Sequence, residues 1–349
     1  MGRVLFGVMG DARGHVSEAL TIAQEMPKHE FLFVGGGKVH DLKAEGYYVE
    51  NVPMGSTMYR NNSVDIPSTV TNAAKVFLNP RKVQRRIAGV IAEFDPDLIL
   101  TDYEYFTPLA ARSLGRPCVS LDHQHIMTHC VYEPPAQQRL SRIMTLFSVR
   151  LLYSNSSKFI IMSFFPLPTV NSETTLVMPP LIRNGVKILK PEIQDHVLVY
   201  QTSPTFHRLL PVLEQLKDQF IIYGLGKRSP RNNLIFKPAL KDEFLQDMAS
   251  CKYVITNGGH NVICEALYLG KPILSFPISK AYEQFLNAYF LDKRGYGAYS
   301  TSSSPTRALF DSFESRLSSF RSNIKYENFH GNQEVVGQLE QLMSGKSKV

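Results

Sequence analysis

Short apolar runs alternate with longer stretches of helical periodicity along almost the whole chain. Residues 4–8, 31–34, 98–101, 118–121 and 159–163 are rich in β-branched and aromatic side chains and predict buried strands. Helical patterns lie between them at 16–26, 80–94 and 107–114. The second half repeats the rhythm, with strands expected at 197–200, 220–223, 253–256 and 273–276. Its helices are expected at 209–216, 243–249, 261–269 and 283–293. Strands that alternate with helices predict parallel sheets covered on both faces, an α/β chain of two Rossmann-like domains. Pro166, Pro168, Asn171 and Ser172 mark the best linker, so the domains are expected at 1–170 and 171–349. A second Pro-rich stretch, 179–191, follows a short strand at 175–178. Near the end, Val335, Val336, Leu339 and Leu342 recur at helical spacing within 331–343. That apolar stripe must be covered.

Composition narrows the class. The chain has 349 residues, 44% hydrophobic and 20% charged, which fits a globular protein and excludes a disordered or collagen-like one. No apolar run reaches the roughly 20 residues of a membrane span. The start reads as a strand, not a signal peptide. Cys118, Cys130, Cys251 and Cys264 form no C-x-x-C pair and read as core thiols of a reduced, cytoplasmic protein. The net charge of +7 suits an anionic substrate or membrane surface. Without a clustered face it gives no case for nucleic acid.

In doubly wound sheets ligands bind beyond the carboxyl ends of the strands. The most informative such place is Thr256-Asn257-Gly258-Gly259-His260-Asn261, a strand, a Gly-Gly turn and a helix start. Free N–H groups near Gly259 and His260, added to the helix dipole, make an anion site suited to phosphate. Glu265, about one turn beyond Asn261, can accept hydrogen bonds from a ribose diol. The plainer reading is a tight turn with Glu265 a solvated helix residue. After the next strand, Glu283, Gln284 and Asn287 open another helix. A carboxylate beside an amide can clamp sugar hydroxyls, or Glu283 can simply favour a helix's first turn.

These three pieces, Gly-Gly-His-Asn, Glu-Ala-Leu-x-x-Gly-x-Pro and Glu-Gln-x-x-Asn-Ala, resemble the donor-binding half of GT-B glycosyltransferases. The likeness is to the group of the peptidoglycan N-acetylglucosaminyltransferase and UDP-glucuronosyltransferase-like microbial proteins. It is strong over 195–297 and weaker over 1–165. It implies two Rossmann-like domains facing across a cleft, with 1–170 binding the acceptor, 171–349 binding the donor and 331–343 crossing back. It also implies that Gly258, Gly259, His260 and Asn261 hold the nucleotide diphosphate and that Glu265 binds the ribose. Glu283 and Gln284 would hold the donor sugar, with Asn287 supporting their helix. The loop at Phe236 and Lys237 would back the base. Thr202 and Ser203, after the first strand of this half, are offered as diphosphate ligands or as helix caps.

At the other end, Gly10-Asp11-Ala12-Arg13-Gly14-His15 resembles the Gly-x-Gly-His loop of the acceptor face, though it is poorer in glycine. His15 is then a general base for an acceptor hydroxyl, or a capping or phosphate-contacting residue. Asp122 and His123 are the fallback base or the partner that orients His15. His123 with His125, or His125 with His129, has a spacing seen in metal sites. Asp95-Pro96-Asp97 precedes its strand and reads as a turn, whereas Asp102, at the strand's far end, is better placed to face a ligand.

The expected activity is transfer of a sugar from a UDP- or dTDP-sugar to an acceptor hydroxyl, inverting, with no cofactor and no metal. The alternatives are a nucleotide-sugar hydrolase or 2-epimerase on the same fold, a metal-dependent hydrolase built on His123 and His125, and a non-catalytic nucleotide-sugar binder, which the presence of His15 and Glu283 disfavours. The stretch 139–150 combines three arginines with an apolar face, and 75–86 is similarly basic and apolar. Each reads either as a core helix with solvated charges or as a peripheral contact with the inner membrane face, where the acceptor would be a lipid-linked glycan.

Overall fold

A computed structural model describes residues 1–76, 78–201, 206–226, 228–238 and 241–345, with Lys75 and Lys241 described by backbone alone. The chain forms two compact units. One comprises Met1–Met58, Ile66–Leu181 and His330–Val349, the other Tyr59–Asp65 and Ile182–Phe329.

The first unit is built on seven parallel strands: β1 (Arg3–Val8), β2 (Glu30–Gly35), β3 (Tyr48–Asn51), β6 (Leu98–Asp102), β7 (Val119–Asp122), β8 (Lys158–Met162) and β9 (Thr175–Met178). Their order is β3-β2-β1-β6-β7-β8-β9. β1 is central and buried on both faces, so its residues alternate between two cores. Val4, Phe6 and Val8 meet Val16, Ala19 and Ile22 of α1 (Arg13–Glu25). Leu5 faces Ile87 and Ile91 of α3 (Pro80–Phe94) and Phe106 and Ala110 of α4 (Phe106–Ser113). Helices α2 (Ile66–Val76), α5 (Ile126–His129) and α6 (Arg139–Leu152) complete this stretch of chain. The order reverses between β1 and β6, where Val8 pairs with Asp102. The loops after these two strands therefore flank a switch point.

The second unit holds six parallel strands: β10 (His196–Tyr200), β11 (Gln219–Tyr223), β12 (Leu234–Phe236), β13 (Val254–Thr256), β14 (Ile273–Ser275) and β15 (Gly297–Tyr299). Their order is β12-β11-β10-β13-β14-β15, with the reversal between β10 and β13. Its helices are α7 (Asn184–Lys187), α8 (Leu210–Leu213), α9 (Lys241–Ser250), α10 (His260–Tyr268), α11 (Tyr282–Lys293), α12 (Arg307–Glu314) and α13 (Leu317–Lys325). A two-stranded hairpin, β4 (Tyr59–Arg60) with β5 (Ser63–Val64), also belongs here.

The boundary expected at 170/171 moves to 181/182. β9 pairs in parallel with β8, Phe159 opposite Thr175 and Met162 opposite Met178, and so closes the first sheet. The last helix, α14 (Asn332–Met343), packs on α1 of that unit. Val335 and Leu339 enter its core. Asn332 donates to Glu25 at 2.9 Å, and a hydrogen bond of 2.8 Å joins His29 to Glu340.

Helix α6 departs from a core helix. Only Val149 is buried, while Leu140, Phe147 and Leu151 are 72%, 65% and 62% exposed and Ile143 and Met144 are exposed beside them. Spacings of three and four put these side chains on one stripe.

Candidate functional site

In the first unit the site is built on the loops after β1 and β6. Gly10 lies against Gly36 so closely that an added Cβ would come within 1.8 Å of the Gly36 carbonyl oxygen. Only glycine lets the loop after β1 meet the loop after β2 there. Gly14 and His15 then lie in the first turn of α1. The His15 Nδ1 lies 2.7 Å from Oδ1 of Asp102, the last residue of β6, which is fully buried. Burial pushes the Asp102 carboxyl up to about 7, against the opposing pull of His15. Glu18, one turn along α1, is also buried, and ligand atoms of His15, Glu18 and Asp102 lie within 4.8 Å of one another. Tyr103 follows Asp102 with φ of 54°, a left-handed backbone uncommon outside glycine. Its ring lies parallel to the His15 imidazole, centroids 6.3 Å apart, and stacks on Tyr153 at 3.9 Å.

Asp102 thus takes the place that Asp122 or His123 was expected to fill beside His15. Asp122 is buried at the end of β7, where its carboxylate accepts the His125 N–H at 2.9 Å and lies 2.7 Å from His125 Nδ1. Burial opposes its charge, but His125 and Ser120 hold the carboxyl down at about 2. His123 is buried with Nδ1 2.8 Å from the Met162 carbonyl oxygen. His123 and His125 therefore serve different neighbours. Among the described residues the trio compact enough for a metal ion is His15, Glu18 and Asp102.

In the second unit the site is built on the loops after β13 and β14. Gly258 has φ of 95°, and a Cβ there would come within 2.6 Å of the Gln284 carbonyl oxygen. Gly259 caps α10, whose first residue is His260, followed by the half-buried Asn261. The His260 Nε2 is 3.2 Å from Cys264 Sγ. Helix α11 braces both loops: Asn287 donates to the Gly258 carbonyl at 3.1 Å, and in the loop after β14 the Ile278 N–H donates to Gln284 at 3.2 Å. Glu283 sits half-buried in the first turn of α11. Phe236 ends β12 with the Arg228 guanidinium 5.6 Å above its ring. Lys237 donates to Asp247 at 2.7 Å. Thr202 and Ser203 lie outside the described residues.

Glu265 is neither a solvated helix residue nor an open carboxylate. It is buried on α10 and grips the Arg183 guanidinium through both its oxygens. Arg183 carried no signal of its own in the sequence, because its partner is 82 positions away. Asp102 and Glu18 did carry one: an acid at a strand's carboxyl end, and an acid three residues after His15 on the same helix face.

The sequence pattern of the family described as glycosyl transferase family 1 matches residues 2–318. An uncharacterized glycosyltransferase of Methanosarcina acetivorans is 23% identical over 348 residues, covering 88% of each chain. A Clostridium botulinum UDP-N-acetylglucosamine--N-acetylmuramyl-(pentapeptide) pyrophosphoryl-undecaprenol N-acetylglucosamine transferase is 40% identical over 90 residues, 23% of this chain and 25% of that one. Among solved structures, a glycosyltransferase of Streptomyces sp. SF2575 complexed with thymidine diphosphate superposes with a TM-score of 0.61. It is 14% identical and covers 98% of this chain and 100% of its own. The likeness extends over both parallel sheets, which is the GT-B architecture. The chain belongs to glycosyl transferase family 1 and is a glycosyltransferase of the GT-B fold.

Proposed function

We propose that the protein moves a sugar from a UDP- or dTDP-sugar to an acceptor hydroxyl, with inversion at the anomeric carbon and without a required metal. The observation that carries the reading is the His15–Asp102 pair at the switch point of one sheet. A Gly-Gly helix start occupies the corresponding position in the other sheet. Asp102 holds the Nδ1–H of His15, which presents Nε2 as the proton acceptor. As Nε2 takes the acceptor's proton, its oxygen bonds to the anomeric carbon and the bond to the diphosphate oxygen breaks. The N-terminus of α10 stabilises the negative charge that gathers on the departing diphosphate. The thymidine diphosphate in the Streptomyces neighbour and the UDP-sugar in the name of the Clostridium relative favour such a donor. Four free, buried cysteines fit a reduced cytoplasmic compartment.

A second reading concerns the acceptor. No helix among the described residues is long and apolar enough to cross a membrane. The exposed stripe of α6, with Arg139, Arg142 and Arg150 on the same helix, has the character of a helix lying in an anionic membrane surface. Exposed Leu78 and the basic run Arg81, Lys82, Arg85 and Arg86 of α3 add to it. The acceptor would then be a lipid-linked glycan and the role glycan biosynthesis.

The test is release of nucleoside diphosphate from a panel of UDP- and dTDP-sugars, with and without a lipid extract as acceptor source. Acceptor-dependent release with one donor supports transfer. Full-rate release of free sugar without acceptor marks a hydrolase and contradicts the proposal.

A further inference from the structure

The hairpin at 59–65 is formed by chain that leaves the first unit at Met58 and re-enters it at Ile66, yet it is part of the second. Its turn is Arg60-Asn61-Asn62-Ser63, with φ of 51° and 54° at the two asparagines. That is the two-residue turn that suits a tight hairpin, and asparagine tolerates it. Two strands of two residues cannot hold themselves in water. Ser279, in the loop after β14, supplies the support. The Val64 N–H donates to the Ser279 carbonyl at 3.0 Å, and the Ser279 N–H donates to the Asn62 carbonyl at 2.9 Å. The Asn62 side-chain oxygen also accepts from Nδ2 of Asn257 at 3.4 Å, which shares that amide with the Phe276 carbonyl at 3.1 Å. Asn257 is fully buried and immediately precedes Gly258. One hairpin therefore touches both loops of the donor motif: 257–259, which opens α10, and 277–281, which leads to Glu283.

We propose that the Tyr59–Val64 hairpin is a positioning element of the donor site, which sets the Gly-Gly loop and the 277–281 loop in the register that binds a nucleoside diphosphate. This rests on the donor reading above. Asn62 and Val64 act through Asn257 and Ser279 and are positioning residues, not catalytic ones.

The experiment titrates UDP and dTDP calorimetrically into the full chain and follows amide hydrogen exchange of the two loops without nucleotide. Val64→Pro removes the donor to Ser279 and is expected to weaken nucleotide binding about tenfold. Asn62→Gly keeps the left-handed turn but loses the Asn257 contact, for about a threefold loss. Exchange over 257–260 and 278–281 should rise in both variants. Folded variants that bind as tightly as the parent overturn the proposal, even if exchange rises, since the hairpin would then be a brace without effect on the ligand. A parent that binds neither nucleotide overturns the donor reading itself, and the positioning role with it.

Discussion

His15 and Asp102 stand 87 positions apart, and the fold brings Nδ1 of one to 2.7 Å from Oδ1 of the other. The contact follows from the sheet order. β6 lies beside β1, so the residue that ends β6 falls opposite Val8, and α1 begins a few residues after Val8. A carboxylate on Nδ1 fixes the tautomer that leaves Nε2 able to take a proton.

Asp102→Asn should therefore lower turnover by about 10²–10⁴-fold while leaving nucleotide affinity unchanged. The same variant should gain stability over the parent as pH rises. The Asp102 pKa goes from 3.8 unfolded to about 7 folded. Its favourable contribution is complete below 3.8 and is lost as pH rises through about 7. Urea denaturation at pH 5 and pH 8 checks this: the advantage of Asp102→Asn must be larger at pH 8.

His129 works in the opposite direction. Burial, with the charge of His125, lowers its pKa from 6.5 to about 4. Its neutral form contributes stability that is present above 6.5 and lost as pH falls toward 4. His129→Phe keeps the ring against Phe159, where the centroids lie 3.9 Å apart. The thermal midpoint of this variant should fall less steeply than the parent's between pH 6.5 and 4.

The Arg183–Glu265 pair gives a stability prediction that a ribose ligand alone would not. With Glu265 buried, Glu265→Ala leaves the guanidinium uncompensated. The expected loss is about 3–5 kcal/mol in urea denaturation. In a double-mutant cycle, Arg183→Ala with Glu265→Ala should cost well under the sum of the two single changes.

Much of the fold was legible because central parallel strands are buried on both faces and so read as continuous apolar runs, as in β1, β6 and β10. The boundary near 170 was not. Pro166 and Pro168 look like a linker, and only the pairing of β9 with β8 shows that the chain returns to the first sheet. For α6 the periodicity gave an apolar stripe, but nothing local says whether anything covers it. Both Asp102 and Asp122 end strands, and strand order alone decides which one meets His15. Asn61-Asn62 is a turn signal with no record of where the turn docks.

The stripe of α6 has its own test. Phe147→Glu with Leu151→Glu should abolish sedimentation with anionic liposomes at low salt and leave turnover on a soluble acceptor unchanged. Both side chains are exposed, so folding should be unaffected. Neutral liposomes should bind the parent weakly, because each basic residue near anionic lipid contributes about 1 kcal/mol. Equal sedimentation of parent and variant would remove α6 from membrane binding.

Calorimetric titration of UDP and dTDP into the parent, Gly258→Ala and His15→Asn chains separates a donor site at the Gly-Gly loop from one at His15. A side chain at Gly258 meets both a left-handed φ and the Gln284 carbonyl. The parent is expected to bind nucleotide, Gly258→Ala to lose that binding and His15→Asn to keep it, since the last change removes only the proposed base. Binding that survives in Gly258→Ala but disappears in His15→Asn would contradict the donor reading, as would a parent that binds neither nucleotide.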